Sequence, residues 1–250
     1  MENKTSLDRA LEILFSFRNG SLKSIQEINE GLHIPKSSCY RHVKKLCTKG
    51  LLEYDMYSNK YKLGMKIIQL GSIVNRQMWI REKALPFMQE LFRLTRESIF
   101  LVVKTGDIGI CVEKIDGDSM LRIVVERGEI IPMYAGAAGQ VLMAYLPKKE
   151  QDEIIQKRGL RKFTSKTITN PSILKKQLKE IRQRGYAYSD QELHEGARAL
   201  AAPIFDIYGN VIASIAIAGA AHRVRDSQIK KYKKLIVEIA GKCSTHLGNK

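Results

Sequence analysis

Apolar residues recur at helical spacing through the first third of the chain, and polar residues fill the positions between them. Leu7, Leu11, Leu14 and Phe17 form one side of a predicted helix that Asn19-Gly20 closes. Ile25, Ile28 and Leu32 line a second helix. It opens at Ser24-Ile-Gln-Glu27, where the serine hydroxyl and the glutamate carboxylate suit a reciprocal capping box. Gly31 to Ile34 makes a short break. Cys39, Val43 and Leu46 then repeat at i, i+4 and i+7 along a third helix, with Pro35 suited to its first turn. Past Gly50, which fits a left-handed cap, the pattern changes to two short strand-like runs, "LLEY" and "KYKL". They flank the turn formers Asp55, Ser58 and Asn59 and predict a hairpin. Three helices followed by a hairpin, within 63 residues, is the order of a winged helix-turn-helix.

A different rhythm follows. The run Met65, Ile68, Val74, Met78 predicts a connecting helix over residues 64–81, and another helix is expected around Glu82 to Arg96. "SIFLVVK" and "IGICVEKI" read as antiparallel strands joined at Thr105-Gly106-Asp107, with "MLRIVVE" as a third. Helices are predicted at Gly139–Tyr145, Lys148–Lys157 and Ser172–Arg184, the last behind Asn170-Pro171. Three more strands, "GYAYSD", "ARALAAPIFDI" and "NVIASIAIAG", precede a helix after Asp226. Strands paired locally and bracketed by helices predict an α+β domain on one antiparallel sheet over residues 82–250. Together with a DNA-binding-type module over 1–63 and a linker over 64–81, this makes two domains, which 250 residues can supply.

Charge gives the first module its direction. The chain carries a net +16, with 13 Lys and Arg against 7 Asp and Glu in residues 1–80 and 29 against 19 thereafter, so the excess is spread along it. Its placement on the third helix is more telling. Opposite the apolar stripe lie Ser37, Arg41, Lys44 and Thr48, flanked by Tyr40 and Lys45, and five cations from Lys36 to Lys49 precede the first carboxylate, Glu53. A solvated helix face has the same composition, but the second helix of a helix-turn-helix lies in the major groove. Arg41 is the expected base reader, because a guanidinium pairs bidentately with guanine. Ser37, Ser38, Lys44, Lys45 and Lys60 are the expected phosphate contacts, Tyr40 suits either role, and Lys36 is also expected at the DNA. A non-specific architectural protein is the alternative. It needs no reading helix and commonly uses basic tails or minor-groove wedges.

Other classes find little support. No apolar run reaches the length of a membrane span, and "MENKTSLDRA" lacks the order of a signal peptide, so the cytoplasm is the expected location. Cys39, Cys47, Cys111 and Cys243 show no zinc or disulfide spacing. There is no phosphate loop, nucleophile elbow or dinucleotide fingerprint, and His194, between Glu192 and Glu195, has no second histidine at metal spacing. No catalytic residue, metal or cofactor is assigned. The small residues Ala135 to Gly139, where a helix begins, fit two readings. They allow close packing of helix on sheet, or close approach of a ligand to free N–H groups.

"SLDRALEIL", "IPKSSCYRHVKKLCTKGLLEYD" and "YKLGMKIIQLG" resemble the N-terminal domain of the IclR family of bacterial transcription regulators, through Ser6, Leu7, Arg9, Ala10, Leu11, Tyr61, Leu63 and Gly64. "GEIIPMYAGAAGQVLMAYLP" and "IRQRGYAYSDQELHEGARALAAPIFDIYGNVIASIAIAG" resemble its effector-domain blocks, so the likeness covers almost the whole chain. It implies a GAF-like domain in which a small organic acid or related metabolite sits over the sheet and changes affinity for a double-stranded DNA operator. It also implies a homodimer or dimer of dimers and, as the more frequent mode, repression. Carried over by position, the effector pocket comprises Ala137, Ala138, Ser189, Glu192, Ala197, Ala199, Ala216 and Ala218. The sequence departs from the pattern at Ser189, often a carboxylate, at Ala216 and Ala218, often hydroxyls, and at Gln140, usually Lys. The implied pocket is less polar than the familiar one, with Ser189 and Glu192 as its main hydrogen-bonding side chains.

Overall fold

A computed structural model describes residues 4–17, 20–77, 79–119 and 125–249, and the chain falls into two compact units, residues 1–78 and 79–250. In the first, α1 (Ser6–Phe15), α2 (Ile25–Leu32) and α3 (Lys36–Thr48) precede a hairpin of β1 (Leu52–Asp55) and β2 (Lys60–Leu63), then α4 (Met65–Gln77). The capping box at α2 forms as its sequence predicts. Glu27 N–H donates to Ser24 Oγ at 3.2 Å and Ser24 N–H to Glu27 Oε2 at 2.6 Å. His33 at φ 52° breaks the chain between α2 and α3, and Pro35 occupies the cap position just before α3, not its first turn.

The core of this unit gathers Ile13, Phe17, Ile28, Ile34, Cys39, Val43, Leu46 and Leu52. On α1 that differs from the predicted stripe. Phe17 is buried, but Leu7 is 67% exposed and Leu11 39%, while Ile13 is fully buried. The helix carries two apolar faces. The one centred on Ile13 meets α3, a choice that periodicity alone could not make. The wing is pinned at its base by Tyr61, whose N–H donates to Lys23 O (2.7 Å) and whose O accepts from Lys23 N–H (3.0 Å). Gly64 follows the wing where a Cβ would lie 2.2 Å from Gly50 O, which explains a glycine there without any appeal to positive φ.

The second unit opens with α5 (Trp79–Thr95) and the antiparallel pair β3 (Ser98–Thr105) and β4 (Ile108–Ile115). The strand predicted from "MLRIVVE" falls largely on residues 120–124, outside the described residues, and the structure shows a two-residue β5 (Ile130–Ile131) on β4. There follow α6 (Ala137–Ala144), α7 (Lys148–Arg158), α8 (Pro171–Arg184), β6 (Ala187–Asp190), β7 (Ala197–Phe205), β8 (Val211–Ala220) and α9 (Asp226–His246). The six strands form one antiparallel sheet in the order β5-β4-β3-β8-β7-β6. Strand alternation divides the sheet's apolar residues between two layers. Phe100 and Val102 join the core beneath α6 and α8, whereas their buried neighbours Ile99 and Leu101 lie outside that cluster, on the side where α5 and α9 pack.

Candidate functional site

The cationic face of α3 forms as its periodicity predicts, with one exception. Lys36, Ser37, Tyr40, Arg41, Lys44, Lys45 and Thr48 are exposed, while Cys39, Val43 and Leu46 point into the core. Lys36, Arg41, Lys44 and Lys45 have no ion-pair partner among the described residues, so their charge is free for a ligand. Ser38 is the exception: it is buried, its hydroxyl has no hydrogen-bond partner among the described residues, and it cannot reach a phosphate. One turn on, His42 is likewise buried with Nε2 unpartnered. Burial, and then the charges of Arg41, Arg9 and Lys45, hold its imidazolium pKa below the ordinary value. Ser38 and His42 flank the apolar stripe, at angles that count as surface on a wheel drawn from α3 alone.

Lys60 on the wing is already engaged. Its Nζ donates to Glu27 Oε1 at 2.8 Å. That bond, with the Ser24 capping contact, holds the Glu27 carboxyl down to about 2. A phosphate at Lys60 would therefore compete with a carboxylate that also caps α2.

In the second unit a cavity lies between the sheet and the start of α6. Seven of the eight residues expected from the family pattern line it: Ala137 and Ala138 from α6, Ser189 from β6, Ala197 and Ala199 from β7, and Ala216 and Ala218 from β8. Strand register explains the gathering. Ala199 is paired on one side with Ser189 and on the other with Ala218, and Ala216 is paired with Phe100, so these side chains share one face. Phe100, Val102, Val125, Ile131 and Leu193 complete the apolar wall, and the exposed His194 contributes at the edge. No local motif marks those wall residues, because each belongs to an ordinary apolar run until the sheet assembles.

Glu192 is the eighth residue, and it does not line the cavity. It is 7% exposed, and its carboxylate accepts from Gln140 Nε2 at 2.5 Å and from Gln177 Nε2 at 3.4 Å, besides a backbone N–H at Gly136. Gln140 is fully buried, donates also to Tyr134 O (3.1 Å) and accepts from Gln177 Nε2 at 2.7 Å. Burial raises the Glu192 carboxyl above the ordinary range against the pull of these amide donors. Glu192 thus anchors the start of α6 from within the protein. Gln177, on α8, carries no sequence signal for this role.

The small residues at the start of α6 satisfy both of their readings, at different positions. A Cβ on Gly139 would lie 1.9 Å from Pro132 O, so that residue is small for packing. Gly136, at φ 78°, turns the chain into the helix, and Ala137 and Ala138 face the cavity. Ser214 Oγ donates to Ala138 O at 3.0 Å and ties this first turn to β8.

Comparison with known proteins agrees with this geometry. Residues 6–56 match the IclR helix-turn-helix domain and residues 73–245 the bacterial transcriptional regulator IclR C-terminal domain. The chain belongs to the IclR family. It is therefore a helix-turn-helix DNA-binding transcriptional regulator and not an enzyme. It is 31% identical over 249 residues to the HTH-type transcriptional regulator KipR of Bacillus subtilis, covering 99% of each. It resembles the Thermotoga maritima IclR crystal structure with a TM-score of 0.74 and 32% identity, over 97% of this chain and 98% of that one. An IclR homologue from Microbacterium hydrocarbonoxydans, solved with 4-hydroxybenzoate, shares the fold with a TM-score of 0.81 at 23% identity, over 98% and 99% of the two chains. Among the described residues, no helix is long and apolar enough to cross a membrane, and no group of three His, Cys, Asp or Glu is placed to hold a metal.

Proposed function

We propose that α3 reads a specific operator in the major groove and that a small metabolite in the alanine-lined cavity changes the affinity of that contact. The observation that carries the first half is the set of four exposed, unpaired cations on α3 beside a wing. Arg41, at the centre of the face, reads a base. Lys36, Ser37, Lys44 and Lys45 hold phosphates, Tyr40 contacts sugar or base edge, and Lys60 contributes only after yielding Glu27. The cavity supports the second half. An effector acts only through a difference in its affinity for DNA-competent and DNA-incompetent states. The homologue solved with 4-hydroxybenzoate supports a small organic molecule as the ligand class.

The protein works as a homodimer or a dimer of dimers, which suits two-fold operators. Exposed Leu7, Leu11 and Phe15 on α1, and Met65, Ile68 and Ile73 on α4, supply apolar surface for association between copies. Fluorescence anisotropy on DNA from upstream of its own gene and on scrambled DNA, across a salt series, tests the DNA half. Selective tight binding upstream is expected. Equal, steeply salt-dependent binding to both would favour an architectural role.

A further inference from the structure

The cavity's chemistry is narrower than its family resemblance implies. Its floor is flat: Ala199, Ala216 and Ala218 end at Cβ, and Phe100 continues the same face on the neighbouring strand. Ser189 brings a hydroxyl to that floor. The residue is only 3% exposed, and the hydroxyl makes no hydrogen bond among the described residues. It opens onto the cavity, where a ligand group can donate to it or accept from it. No Lys or Arg is among the described residues lining the cavity. Arg198, between two floor alanines in sequence, points to the other face of β7 and donates to Asp190 Oδ1 at 2.8 Å, and Lys166 holds Asp190 Oδ2 at 2.6 Å. The start of α6, where an anion would find free N–H groups, already carries the buried Glu192 carboxylate at Gly136. A ligand carboxylate there would be stripped of water and would find the Gly136 N–H already taken.

We infer that the cavity takes a compact, uncharged, planar ring bearing one hydroxyl or carbonyl group, stacked on the alanine floor with that group at the Ser189 hydroxyl, in preference to an organic acid. This rests on the cavity being the effector site.

The test is calorimetric titration of the full chain with benzyl alcohol, toluene, benzoate and pyruvate, with operator anisotropy run beside it. Benzyl alcohol should bind about 10-fold or more tighter than toluene or benzoate, in line with the value of one satisfied buried hydrogen bond. Pyruvate should not bind. Ser189→Ala should erase the preference for benzyl alcohol over toluene while leaving toluene affinity unchanged. Tighter binding of benzoate or pyruvate, or no binding of either neutral ring, overturns the inference. A Ser189→Ala protein that loses toluene as well overturns the role given to that hydroxyl. Binding of the neutral rings with no change in operator affinity upholds the ligand class and defeats the effector reading.

Discussion

Replacing Arg41 by alanine removes one of four unpaired cations from the exposed face of α3 and leaves its core side, Cys39, Val43 and Leu46, untouched. Folding should therefore be unaffected, and any change belongs to the DNA contact. A bidentate guanidinium–guanine pair is worth about 1–3 kcal/mol of discrimination, which is roughly a 5- to 150-fold loss on the operator for each half-site. Salt dependence separates this role from simple charge. With Lys36, Lys44 and Lys45 on phosphates, α3 alone gives a slope of log K against log salt of about −2.7 per copy. Lys44→Ala should reduce that slope by about 0.9 and weaken every DNA sequence alike, whereas Arg41→Ala should leave the slope nearly intact and relax preference at one base pair. The assay is anisotropy on the operator and its single-base variants at four or more salt concentrations. An unchanged base profile with a slope lowered as in Lys44→Ala would make Arg41 a phosphate contact and refute the assignment.

Four further outcomes test the rest of the structure. Ala138→Leu places a branched side chain in the cavity and should abolish the effector response while operator affinity stays at wild type, read by ligand titration of the DNA complex. Gly139→Ala forces a Cβ against Pro132 O and should destabilise the second unit by at least about 2 kcal/mol, seen as a lower denaturant midpoint at constant slope. Glu192→Gln addresses a carboxyl raised by burial. The folded protein then holds that proton more tightly than the unfolded chain, so its contribution favours folding at low pH and is lost as pH rises from the ordinary glutamate range through the folded value. The melting temperature of Glu192→Gln relative to wild type should therefore increase between pH 4 and pH 7; a flat difference would contradict the shift. Glu27→Gln frees Lys60 and should raise salt-sensitive affinity for non-specific DNA, measured by the same anisotropy titration.

Short-range chemistry determined what the sequence could determine. The capping box at Ser24, the left-handed Gly50, the turn at Asp55–Asn59 and the two strand runs of the wing each depend on groups within a few residues, and each is in place. The cationic face of α3 was legible for the same reason, since a helix fixes which side chains share a side. Seven cavity residues were reached through the family resemblance, which carries positional information that periodicity lacks. Tertiary structure decided everything that depended on which face meets which. Two apolar faces on α1 competed, and packing on α3 chose Ile13 over Leu7 and Leu11. Ser38 went inside because α3 is covered beyond its apolar stripe. Glu192 turned away from the cavity because Gln140 and Gln177, 52 and 15 residues away, supply its donors. Phe100 met Ala216 only when β3 paired with a strand more than a hundred residues further on. Neighbours in sequence cannot specify such encounters, because their energy appears only once the chain has closed on itself.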